Sequence, residues 1–107
     1  MGLSNEDIEL IFNQALRRRK FRMQYKKKGA SRYTKRTLEF YSIRVYGIRY
    51  GNATRIYEFL YCWDDNRGGE NRQRNHIRAY NFTRIRDGSV RSSIRKYRSV
   101  KWNIEVN

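Results

Sequence analysis

The sequence predicts an α+β fold, a leading helix followed by a small, strongly bent antiparallel β-barrel of about five strands. Three observations predict it. An early stretch repeats its apolar residues at helical spacing. Later stretches alternate with a period of two. One alternating run changes parity midway, which is how a small sheet bends toward a barrel. The 107 residues make one domain: helix at about 5–18, barrel at about 20–90, and a C-terminal extension with a last strand at 100–106.

The helix opens on Ser4 with Asp7, a capping-box pattern. Glu6, Asp7 and Glu9 stand at the positive end of its dipole, and Arg17, Arg18, Arg19 and Lys20 at the negative end. Ile8, Ile11, Phe12, Ala15 and Leu16 mark the buried face. Phe21, Met23 and Tyr25 then alternate with Arg22, Gln24 and Lys26, giving a strand apolar on one face and basic on the other. Lys27 to Ser31 supplies a turn, and a second strand begins near Lys35. Leu38 and Phe40 have one parity and Ile43 and Val45 the other, which places a bulge near Tyr41-Ser42.

Gly47 to Thr54 reads as a loop or hairpin. Arg55 to Trp63 is apolar on both faces, the mark of a central strand. A polar loop over Asp64 to Asn75 leads to a strand over Ile77 to Ile85 and a tight turn at Arg86-Asp87-Gly88-Ser89. Val90 to Arg98 has the look of a short helix, and Val100, Trp102, Ile104 and Val106 alternate like a final strand.

The formal charge is +15, from 25 Lys plus Arg against 10 Asp plus Glu, and aromatic residues make up 15% of the chain. A basic disordered tail would be poor in rings, so the chain folds, and its self-repulsion calls for a polyanion. Nucleic acid is the expected partner, single-stranded RNA or DNA favoured over duplex, through a non-catalytic, regulatory or accessory role. No apolar run approaches the ~20 residues of a membrane span. Cys62 is the single cysteine, which excludes an internal disulfide and paired-cysteine zinc sites and suits a reducing, cytoplasmic setting. Open strand edges allow a homodimer.

Tyr interleaves with Arg at Arg32-Tyr33, Arg44-Val45-Tyr46, Arg49-Tyr50, Arg78-Ala79-Tyr80 and Lys96-Tyr97-Arg98. Rings stack on unpaired bases while adjacent cations hold the backbone. Tyr46 and Tyr50, flanking a glycine-bearing loop, are the first candidates, with Arg49 between them. Arg36 belongs to a basic cluster with Arg32 and Lys35, and strand parity puts Arg78, Tyr80, Phe82 and Arg84 on one face. An arginine fork suits a phosphate, and equally a carboxylate such as Glu58 or Glu39. His76 has no signalled acid–base partner, residues 64–70 fail the spacing of a calcium loop, and Gly68-Gly69 lacks the rest of a P-loop. No cofactor, metal or catalytic residue is expected.

The words Arg36-Thr37-Leu38-Glu39-Phe40-Tyr41-Ser42-Ile43, Arg55 through Cys62 and Arg78 through Ile85 resemble, in order and spacing, the three conserved stretches of WYL domains. Ile56 stands where that family carries Trp, Glu58 where it carries Leu and Phe40 where it carries Pro. The resemblance spans about residues 8 to 90 and implies an Sm-like five-stranded barrel that binds ligands or nucleic acids and regulates. It implies a binding patch at Tyr57 and Arg78 with Arg84 nearby. Beside nucleic-acid binding stand three alternatives: a sensor domain for a small anionic, nucleotide-like ligand, a nucleic-acid-packaging protein, and a small basic ribonuclease of the toxin kind.

Overall fold

The computed structural model describes residues 2–64 and 77–97. One helix, α1 (Asn5–Leu16), precedes five strands: β1 (Arg19–Tyr25), β2 (Thr34–Tyr50), β3 (Ala53–Trp63), β4 (Ile77–Asn81) and β5 (Arg91–Lys96). They form one antiparallel sheet in the order β4-β3-β2-β1-β5. The fold is α+β. The sheet is open, with β4 and β5 at its two ends.

The capping box forms as its residues dictate. Ser4 Oγ accepts from the Asp7 N–H, and an Asp7 carboxylate oxygen accepts from the Ser4 N–H. The helix is two residues shorter than its charge pattern suggests. Arg17 is its C-cap, and Arg18 adopts φ 54°, turning the chain directly into β1. That reversal leaves Leu16 71% exposed, outside the buried face it was expected to join. Ile11 and Ala15 are buried, with Ile8 and Phe12 packed against the core. Gln14, also buried, donates from Nε2 to the carbonyls of Lys20 and Ser93, fastening the helix to β1 and β5.

Phe21, Met23 and Tyr25 point inward from β1 to meet Leu38 and Phe40 of β2 and Leu60 and Cys62 of β3. The parity change in β2 is a bulge, since the pairing shifts between Phe40 and Ser42 and brings Ile43 opposite core Leu60. Phe40 centres this layer. Its ring lies 5.3 Å from that of Phe12, and its carbonyl accepts from the Tyr97 hydroxyl at 3.0 Å.

Residues 47–50, read as the start of a loop, continue β2. The reversal is a two-residue turn at Gly51-Asn52, where Gly51 supplies the positive φ of 59° that such a hairpin needs. β4 stops at Asn81. Asn81 Oδ1 accepts from the Thr83 backbone N–H and hydroxyl, and this cap diverts the chain into a 3-10 turn over Phe82–Arg84 instead of a strand reaching Ile85. The turn carries the chain back to β1, where Tyr25 bridges Ile85 and the Arg86 N–H reaches the Gln24 carbonyl. The Arg86–Ser89 turn forms, with Gly88 at φ 71°. Residues 91–96, expected as a helix, are strand β5, because the open edge of β1 supplies their backbone partners. The strand expected at 100–106, the loop at 65–75 and His76 lie outside the described residues.

No helix among the described residues is long and apolar enough to cross a membrane.

Candidate functional site

Only the inner halves of β2 and β3 belong to the core. β1 pairs with β2 through Leu38, and β4 pairs with β3 from Phe59 onward. The remainder, Arg44 to Phe59, is a two-stranded arm in which no residue is buried. β3 is a central strand between β2 and β4, as its apolar faces predict, but its outer half has no covering layer. Its apolar residues there, such as Ile56 at 59% exposure, have no layer above them.

The register after the bulge decides what the arm displays. Arg44, Tyr46, Ile48 and Tyr50 share one face with their partners Phe59, Tyr57, Arg55 and Ala53, and Ser42 pairs with Tyr61 at its base. Tyr46 and Phe59 meet ring to ring at 5.9 Å, and the Tyr46 and Tyr61 hydroxyls are 3.2 Å apart. Arg44 lies 5.4 Å from the Tyr61 ring centre, and Arg55 lies 5.7 Å from that of Tyr50. Hydrogen bonds from Tyr50 and then from Arg55 lower the Tyr57 pKa, and the same Tyr50–Tyr57 bond raises that of Tyr50. The result is a ladder of rings beside guanidinium groups, with Tyr46 and Tyr50 exposed and Tyr57, Phe59 and Tyr61 half-buried.

Arg49 is separated from these rings. It faces the other way, opposite Thr54, together with Val45, Ile56 and Glu58. Adjacency in sequence placed it beside Tyr50, but in a strand adjacency means opposite faces.

The remaining candidates meet at the base of the arm. Tyr25, Lys27, Lys28, Arg36, Phe59, Arg78, Tyr80 and Arg84 line a cavity of about 370 Å³. Arg84 arrives there through the 3-10 turn and not through strand parity with Arg78. Arg78 sits opposite Cys62 in the ladder and donates to the Ile77 carbonyl at 2.9 Å. Of the carboxylates considered for it, Glu39 is fully buried and lies 3.6 Å from Lys20.

Tyr80 is part of the wall and not an exposed ring. It is 4% exposed, its hydroxyl donates to Asp64, and its ring meets Tyr25 edge-on at 4.9 Å. Burial and then the Asp64 charge push its pKa far up, so it holds its proton. Arg36 is 8% exposed, with Nη1 3.7 Å from Asp64 and Nε without a hydrogen-bond partner among the described residues. A buried donor left unpaired is costly.

The structure thus brings Tyr46, Tyr50 and Tyr57 together on the arm, and Arg36, Arg78, Tyr80 and Arg84 around the cavity. Phe59 touches both groups. Arg44 stood in the sequence only as a neighbour of Tyr46, and Arg55, Phe59 and Tyr61 were not among the expected site residues. The signal was present in the period-two run Arg44, Tyr46, Ile48, Tyr50 that follows the bulge. No group of three or more His, Cys, Asp or Glu side chains suited to a metal occurs among the described residues. Comparison of the chain with protein-family models, with curated proteins and with solved structures finds no match.

Proposed function

We propose that this protein is a non-catalytic module that binds single-stranded RNA or DNA, in a regulatory or accessory role. The observation that carries this reading is the ladder of exposed Tyr46 and Tyr50 and half-buried Tyr57 and Phe59, interleaved with Arg44 and Arg55 and with Tyr61 at its base, on an arm with no buried residue. Rings on an open ribbon accept unpaired bases of any identity, and each stacked base contributes about 1–3 kcal/mol. The strand's phosphates then pass the cations at the base of the arm, where Arg36, Arg78 and Arg84 converge. A net charge of +15 supplies the long-range attraction.

The leading helix, the bulged second strand and the placement of β1 beside β5 support an Sm-like, WYL-type architecture. The Tyr25–Ile85 bridge and the Asn81 N–H bond to the Tyr25 hydroxyl draw the end of β4 toward β1, as partial closure of a barrel would.

The test is a fluorescence-anisotropy titration with single-stranded RNA, single-stranded DNA and duplex DNA of equal length at several salt concentrations. A single strand binds tightest, and Tyr46→Ala weakens it about tenfold or more. Equal, wholly salt-suppressed binding to all three probes, indifferent to Tyr46→Ala, overturns the reading. RNA recovered intact after prolonged incubation is the companion result.

The cavity favours a second reading, a sensor for a small nucleotide-like anion, since Lys27, Lys28, Arg78 and Arg84 all line it. Saturable thermal stabilisation by one nucleotide class supports it, and no shift across a nucleotide panel removes it.

A further inference from the structure

On the far side of Arg36 lies a second concavity, of about 600 Å³, between β1, the start of β2 and β5. Arg22, Lys35, Arg91 and Arg95 line it together with three serines. Neither a carboxylate nor an aromatic ring is among its lining residues. Arg22 and Arg91 are directly opposite each other in the β1–β5 ladder. Like charges in that position repel, and a fold selected for stability alone would not place them there. Both guanidinium groups are steadied by backbone carbonyls: Arg22 by that of Ser92 at 3.3 Å, and Arg91 by those of Gly88 at 2.6 Å and Val90 at 2.8 Å. Carbonyls orient an arginine without neutralising it, so the positive field of the groove is kept.

We propose that this groove is a phosphate track that holds the sugar–phosphate backbone of the bound nucleic acid beyond the segment stacked on the arm. The inference rests on nucleic acid being the partner. The chemistry differs from that of the arm. Without rings the groove cannot stack bases, and its cations and hydroxyls read only phosphate and sugar, whatever the sequence. Arg36 is among the residues lining both the cavity at the base of the arm and this groove.

The experiment uses the full chain and two probes of about twelve residues, a length within the reach of small folds of this kind. One is a single strand with bases, and the other an abasic deoxyribose-phosphate strand that cannot stack. Arg22→Gln with Arg91→Gln weakens the abasic probe about tenfold and reduces the slope of log K against log salt by about 1.4, at about 0.7 for each lost phosphate contact on a single strand. Arg17→Gln with Arg32→Gln, exposed positions outside both cavities, removes the same charge with less than about a threefold loss. Arg22→Lys with Arg91→Lys keeps most of the binding and guards against a folding defect. Tyr46→Ala with Tyr57→Ala leaves the abasic probe unchanged and weakens only the strand with bases.

Equal losses from the groove pair and the control pair overturn the phosphate track, as does an abasic probe that fails to bind. A strand with bases that is indifferent to the tyrosine pair, while abasic binding still depends on the groove, overturns the arm reading alone.

Discussion

The Tyr80 hydroxyl donates a 2.7 Å hydrogen bond to Asp64 Oδ2, the same oxygen that lies 3.7 Å from Arg36 Nη1. All three residues are buried; Arg36 is among the residues lining both cavities, and Tyr80 lines the one at the base of the arm. Removing one partner strands a charge or a polar atom in a low-dielectric setting. Tyr80→Phe is expected to cost about 1–3 kcal/mol. Asp64→Ala, which leaves Arg36 without its buried carboxylate, costs about 3–5 kcal/mol. Urea denaturation monitored by tryptophan fluorescence checks both, and equal costs for the two variants would refute the charge argument.

Stability should fall in alkaline solution. Burial raises the pKa of Tyr80 and of Tyr97, so the folded state keeps protons that the unfolded chain releases near the ordinary tyrosine value of about 10. The stabilisation from these raised groups is complete below that value and is lost as pH climbs above it toward the folded-state values. Denaturation midpoints at pH 7, 9 and above about 10 test the sign. Tyr57, whose pKa is lowered by Tyr50 and then Arg55, should ionise before the buried tyrosines in an ultraviolet titration of the native protein.

Gly51→Ala should loosen the arm and spare the core. Its φ of 59° costs a non-glycine residue about 1–2 kcal/mol. No residue from Arg44 to Phe59 is buried, so the strain is relieved by local fraying. Amide exchange should accelerate across Val45 and Glu58, which pair in the arm, while Met23 and Leu38 amides keep their protection. Uniform acceleration would show that the arm is part of the cooperative core.

Gly2→Ala should destabilise more than its terminal position suggests. A Cβ there would stand 2.7 Å from the Phe82 carbonyl oxygen, at a φ of 79°. The clash also disturbs the Gly2 N–H bond to Asp87 at 3.0 Å, which ties the chain start to the turn before β5. A loss of about 2 kcal/mol is expected in a thermal or urea melt. Deleting the side chain of the exposed neighbour Asn5 serves as the comparison.

Much of the fold was legible in the sequence because local chemistry carried it. Ser4 and Asp7 announce the helix start, the alternation of Phe21, Met23 and Tyr25 announces β1, and the parity change before Ile43 announces the bulge. The readings that failed depended on partners distant in sequence. Residues 91–96 have no strong period of their own, and the edge of β1 makes them a strand. Leu16 looked buried until Arg18 turned the chain away. Arg84 matched Arg78 by strand parity, but the Asn81 cap ended that strand first.

By itself, the sequence determined a basic, ring-rich α+β chain and most of its strand positions, since charge, capping and period-two alternation are properties of neighbouring residues. Tertiary structure alone decided which strand faces acquire a covering layer. The sheet runs out of partners beyond Leu38 on one side of the hairpin and before Phe59 on the other. From there the same alternation that builds a core further in leaves Tyr46 and Tyr50 exposed and Tyr57 half-buried, because burial requires a second surface and no periodicity in one strand can encode where that surface ends.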